Sequence, residues 1–263
     1  MADALHAEWT KLRTLASTFW LLLGAAVLTI AVGATAAAAF RCQAGECAPA
    51  VTGADPAKIS LTGIDLGQVV VALLAVLAIG GEYSTGMIRL TLAAMPRRLT
   101  ALAAKAAAIT GCVLAASAVA VLGSVLAGRL ILPGHGLSQA NGYQLLSLGN
   151  GPDLRATAGA VLYLALIALL AIGLTTAVRD SGVAIGAVLA LLYLFPIVSS
   201  VVPDQTLSRR LEQIAPMTAG QYIEATTGVR ALPLTPWQGL GVLVLWALGA
   251  LLLGAAVLRL RDA

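Results

Sequence analysis

The residues able to do chemistry are few and poorly placed for bond-making. The histidines, His6 and His135, and the cysteines, Cys42, Cys47 and Cys112, fall into no metal-ligand spacing. No G-x-x-x-x-G-K-[ST] phosphate loop occurs, so the chain does not bind ATP in that way, and neither H-E-x-x-H nor G-x-S-x-G is present. His6 lies near the start and His135 in a polar connection, so an intramembrane Ser–His couple is hard to build. That disfavours an intramembrane protease or a lipid transferase. What remains is charge. Asp65, Glu82, Lys105 and Arg129 punctuate the ends of apolar runs, and Arg89, Arg97 and Arg98 form a basic group between two of them. Such residues suit docking and topology. An ion-coupled carrier usually needs an ionisable group near mid-membrane, and none is expected there. The hydroxyls inside the runs (Thr29, Thr35, Ser117, Ser124, Thr175, Thr176, Ser199 and Ser200) are expected mostly to bond back to their own helices.

The elements that position these charges follow from composition. Of 263 residues, 59% are hydrophobic and only 11% charged, and the mean hydropathy is +0.93. That shortage of charge excludes a water-soluble globule, and the hydrophobicity excludes disorder. Charge-free runs cover 14–40, 66–81, 106–128, 156–178, 181–203 and 231–258. A charge at mid-bilayer costs roughly 2.5–3.5 kcal/mol on insertion scales, so such runs mark spans. A bilayer core needs about 20 helical residues. The sequence therefore predicts an all-α polytopic membrane protein, one domain over 1–263, with six transmembrane helices near 18–40, 62–81, 106–131, 156–178, 182–202 and 237–258. The second run is short and is expected to borrow a turn before Asp65, leaving that carboxylate at the outer rim. The first run is too long for a cleaved signal core and is read as retained. No alternation suggests a barrel.

With the N-terminus inside, nine Lys/Arg face inward and seven outward, and the inner segments are shorter, so their basic density is higher. The net charge of +4 then reads as attraction to anionic lipid and not to nucleic acid. Residues 1–17 are predicted to form an interfacial helix, with Trp9 at headgroup depth and Lys11 and Arg13 off its apolar face. Residues 82–105 make the largest inner segment, a compact helical knob ended by Pro96. Its alternatives are a docking surface for a cytosolic partner or a set of arginines that merely enforce topology. Residues 203–236 make the longest outer segment, where Leu207, Leu211 and Ile214 form one amphipathic stripe and 221–227 suggests a second. The segment 133–153 reads as an ordinary loop with His135 solvated. Cys42 and Cys47 fall in an outer loop, as a small disulfide-closed ring or as two free thiols. Cys112 reads as a small apolar residue inside the third helix.

Two inner motifs carry a family likeness. Glu8-Trp9-Thr10-Lys11-Leu12-Arg13-Thr14, and Gly81-Glu82-Tyr83-Ser84-Thr85-Gly86-Met87-Ile88-Arg89 followed by Pro96-Arg97-Arg98, resemble permease subunits of ABC-2 type ABC transporters, particularly actinobacterial exporters. The closing Pro236-Trp237-x-Gly239 and Arg261-Asp262-Ala263 are similar to the same group. The resemblance implies a cytosolic coupling helix between helices 2 and 3, carried here by Glu82, Tyr83, Gly86, Arg89, Pro96, Arg97 and Arg98. It also implies short extracellular helices between helices 5 and 6, and a second permease copy with the pathway between the two copies, in a 2+2 complex. A separate ABC ATPase subunit would bind ATP-Mg, so the chain itself is no enzyme and binds no cofactor directly. The implied function is export of an amphipathic or lipophilic small molecule or peptide across a bacterial plasma membrane, with antibiotic self-resistance as one setting and both termini cytoplasmic. The alternatives are an ATP-independent secondary carrier, or a non-transporting membrane scaffold or sensor.

Overall fold

The computed structural model describes residues 10, 16–41, 53–87 and 98–260. Among these, every regular element is a helix, and six helical stretches are long and apolar enough to cross a membrane. In chain order the α-helices are α1 (Ala16–Ala39), α2 (Pro56–Leu61), α3 (Ile64–Ser84), α4 (Arg98–Ile131), α5 (Gly151–Val178), α6 (Ser181–Val201), α7 (Gln205–Ile214), α8 (Pro216–Gln221) and α9 (Pro236–Leu260). Six crossings return the chain to its starting side. The end holding Ala16 and Leu260 is called the near end below, and the other the far end.

α2 and α3 together make the second crossing, Pro56–Ser84. Asp55 caps α2 by accepting from the Ala57 and Lys58 amides, and Pro56 takes the first position, where no amide is needed. The helix breaks at Thr62 and Gly63, and α1 crosses against the break. A Cβ on Gly63 would sit 1.9 Å from the Thr29 carbonyl oxygen, so only glycine lets the two backbones meet there.

α5 is the hub. It packs against α3, α4, α6 and α9, and Tyr163, Leu164, Ile167, Leu170 and Ile172 on it are fully buried. Its broadest neighbour is α9. Their crossing depends on Gly173, where a Cβ would lie 2.4 Å from the Ala250 carbonyl carbon. We expect Gly173→Val to cost about 1–3 kcal/mol by overpacking. Gly241→Ala, whose new methyl meets nothing within 4 Å, should instead stabilise by roughly 0.5–1 kcal/mol. Thermal unfolding of both variants in detergent checks the pair.

The outer helices show large apolar side chains. Val183, Leu194, Ile197 and Val201 on α6, Val119, Leu122, Leu126 and Leu130 on α4, and Leu245 and Leu252 on α9 are all exposed. Such continuous faces are a liability in water and the expected lining against hydrocarbon.

Several boundaries differ from the sequence expectation. α4 begins at Arg98, before the predicted start near 106, so Lys105 lies within α4. Glu82 likewise lies within α3, and residues 88–97 between the two helices lie outside the described residues. The segment 133–153 is shorter than a plain loop, because Leu132–His135 and Gln139–Asn141 form 3-10 turns and α5 starts at Gly151. His135 is half-buried and not solvated. Between α6 and α9, α7 falls on the Leu207–Leu211–Ile214 stripe. The second stripe is not a helix over 221–227. α8 ends at Gln221, and Tyr222–Glu224 continues as a 3-10 turn. Trp9, Lys11, Arg13, Cys42, Cys47, Arg89, Pro96 and Arg97 lie outside the described residues, as does the Arg98 side chain.

Candidate functional site

Two polar assemblies lie at opposite ends of the bundle. At the near end, the last turn of α3 carries Glu82 inward and the second turn of α4 carries Lys105 toward it. Lys105 Nζ donates to Glu82 Oε1 at 2.5 Å, with side chains only 6% and 5% exposed. Both charges are taken out of solvent, so removing either partner leaves a buried charge uncompensated. The next residue, Tyr83, holds its ring 6.0 Å from the Arg179 guanidinium carbon. Arg179 is the only non-glycine residue with positive φ among the described residues, at 65°. It closes α5 in the left-handed conformation, its amide donating to the Thr175 carbonyl at 2.8 Å. Its Nη2 donates to the Val257 carbonyl on α9 at 3.2 Å. Asp180 then caps α6 through the Val183 amide. The chain turns away after α3 at Gly86, which has φ +70° and needs the freedom of glycine.

These contacts decide where the sequence-predicted residues belong. Glu82 is buried at the root of the 82–105 segment. It and Lys105 lock the two feet of the 85–97 segment together, and Tyr83 and Arg179 tie that lock to α5 and α9. What this arrangement can do is transmit displacement, because α3 and α4 cannot separate at the near end without unpairing a buried charge.

The far end is closed by α8 and the turn after it. A Cβ on Gly159 would strike Ile223 Cγ1, and one on Gly220 would strike the Tyr163 ring, so the turn nests against α5. Asp55 reaches from the α2 cap to this turn, accepting from the Thr226 amide at 2.5 Å, Thr226 Oγ1 at 2.6 Å and the Thr227 amide at 2.9 Å. Arg155 Nη2 donates to the Ala225 carbonyl. Gln221 Nε2 donates to Asp65 at 2.5 Å, so Asp65 binds the far-end turn and is half-buried at the rim. Deeper in, Tyr163 Oη donates to Gln68 Oε1, Gln68 Nε2 donates to Tyr193 Oη at 3.1 Å, and Tyr193 Oη donates to the Asp65 carbonyl at 2.8 Å. Buried amides and hydroxyls are thus satisfied across α3, α5 and α6.

Glu224 is one exception. It is buried, and its Oε1 has no hydrogen-bond partner. Burial holds its carboxyl well above the ordinary 4.5, the Asp65 charge adds to that, Lys58 opposes it and Asp55 adds again. Tyr222 beside it is pushed up to about 12 by burial and by Glu212. A folded-state value above the unfolded one stabilises the fold fully below the unfolded value, and that stabilisation is lost as pH rises through the folded value. Melting temperature should therefore fall as pH climbs from 4.5 toward alkaline, and Glu224→Gln should flatten that slope. A wild-type profile already flat over that range would contradict it.

Among the described residues no cluster of His, Cys, Asp or Glu could hold a metal ion. Cys112 is half-buried in α4 with its thiol free. Seven of the eight span hydroxyls do bond back to their own helices. Ser124 does not: its buried Oγ, beside Gly33, has no partner. The sequence reading missed Gln68, Tyr163 and Tyr193. The signal available was Gln68 itself, an amide one turn into a span and too costly to leave unpaired in lipid. No protein-family model matches the chain, and no curated protein is significantly similar to it.

Proposed function

We propose that the chain is the membrane-spanning permease subunit of an ATP-driven exporter of the ABC-2 type, moving an amphipathic or lipophilic small molecule or peptide outward. A separate ATPase subunit carries ATP-Mg, two permease copies enclose the pathway, and the near end faces the cytoplasm. The observation that carries this reading is the buried Glu82–Lys105 pair at the feet of the basic 85–97 segment. A partner gripping that segment acts on α3 and α4 as one unit. The contacts of Arg179 with Tyr83 and Val257 pass the displacement to the α5–α6 link and to α9. Coupling requires that the ATPase hold the segment differently in its two nucleotide states.

The test uses the chain assembled with its proposed ATPase subunit. Arg89→Ala should leave assembly intact and abolish the stimulation of ATP hydrolysis by transported compounds. Unchanged stimulation in an intact complex overturns the role of the segment.

One observation favours a second reading. A buried carboxyl with an unpartnered oxygen, pushed upward by burial and by the Asp65 charge as Glu224 is, suits a carrier that moves protons without ATP. Glu224→Gln should then abolish gradient-driven flux in vesicles holding the chain alone.

A further inference from the structure

Between α6 and α9 the described side chains leave a gap floored by α5. A groove of about 470 Å³ results, within the range of small-ligand sites. Its floor is Leu170 and Leu174 of α5. Leu191 of α6 forms one wall, and Val242, Leu245 and Leu253 of α9 the other. Gln213 and Ile214 at the end of α7 close it toward the far end, where Trp246 Nε1 donates to the Ile214 carbonyl at 2.8 Å. The groove is partly open, and its floor and both walls belong to helices long and apolar enough to cross a membrane. Its lining holds no charge.

The rim at α7 is charged. Arg209 and Arg210 lie one turn before Gln213 and Ile214, so they stand above the closed end of the groove. Both are exposed, and neither has an ion-pair partner among the described residues. The acids of the same helix do not neutralise them. Asp204 caps α7 through the Thr206 amide, and Glu212 turns toward Tyr222, 3.4 Å from its hydroxyl. The apolar stripe of α7 seats the helix at an interface.

We propose that this groove holds one acyl chain of an anionic phospholipid, with the phosphate of its headgroup on Arg209 and Arg210. An uncharged groove beside two exposed guanidinium groups is complementary to such an amphiphile, apolar chain and anionic headgroup alike. A second copy fits less well. Inserted the same way up, it brings its own Arg209 and Arg210 to the same rim and adds like charge. The inference rests on the membrane-crossing helices and is independent of the exporter reading.

The test places the purified full chain in nanodiscs containing phosphatidylglycerol or phosphatidylcholine with a photoactivatable group in mid-chain. Label should concentrate on 242–253 and 170–174, with the glycerol lipid favoured about tenfold. Gly249→Phe should displace the label without loss of melting temperature, because a side chain at Gly249 starts in open space. Arg209→Gln with Arg210→Gln should erase the headgroup preference and leave chain labelling in place. Equal labelling of Leu122 and Leu126 on α4 would overturn the proposal. So would efficient disulfide linkage between copies of Leu245→Cys, which would assign the groove to a second copy.

Discussion

Replacing Lys105 by Met is expected to destabilise the folded chain by about 3–5 kcal/mol, because the buried Glu82 carboxylate loses the ammonium that neutralises it. Glu82→Gln should cost a comparable amount, for the converse reason. The double variant, Glu82→Gln with Lys105→Met, should recover most of the loss, since an uncharged pair of similar volume removes the desolvation cost of both ions. Unfolding in mixed micelles, analysed as a double-mutant cycle, gives the interaction directly. Additive losses would show that the charges do not act as a unit. The same double variant separates stability from coupling. If the pair transmits the partner's movement, the double variant folds, assembles with the ATPase and hydrolyses ATP, yet transport falls because α3 and α4 are no longer held together by charge.

The second large effect is expected at the far end. Asp55→Ala removes the cap of α2 and the acceptor for the Thr226 and Thr227 amides and the Thr226 hydroxyl in one step. A lost cap costs about 1 kcal/mol, and each of the three part-buried hydrogen bonds about 0.5–1.5 kcal/mol. The expected total is about 3–5 kcal/mol on those scales. The loss should be local before it is global. Hydrogen exchange should quicken first over 218–228, the stretch that closes the far end, while α5 stays protected. Asp55→Asn keeps a capping oxygen and should retain part of the protection. Unchanged exchange over 218–228 in Asp55→Ala would mean that Ile223 and Met217 alone hold the closure.

Much of this architecture was legible in the sequence because hydrocarbon is an unforgiving solvent. Charge-free runs located all six crossings. The helices run past the charge-free stretches where charges are paired. Lys105 ends its charge-free run in the sequence, yet with Glu82 beside it α4 continues seven residues further toward Arg98. The pairing itself was within reach: opposite charges at the adjoining ends of consecutive antiparallel spans are natural partners. The Gln68–Tyr163–Tyr193 network was not, because its members stand 95 and 125 residues apart and nothing local marks them as neighbours. The burial of Glu224 was hidden for the same reason. Its setting comes from α2, α3 and α5, and its own segment reads as an ordinary polar connection.

In the proposed reading this chain supplies a pathway and a lever, and energy comes from a nucleotide-hydrolysing partner. The most direct test measures uphill movement of amphipathic fluorescent dyes into inside-out proteoliposomes. These hold either the chain alone under an imposed proton gradient or the chain with its proposed ATPase subunit and Mg-ATP. Accumulation only when ATPase and ATP are both present is the predicted result. Accumulation by the chain alone, driven by the gradient without ATP, would contradict the account.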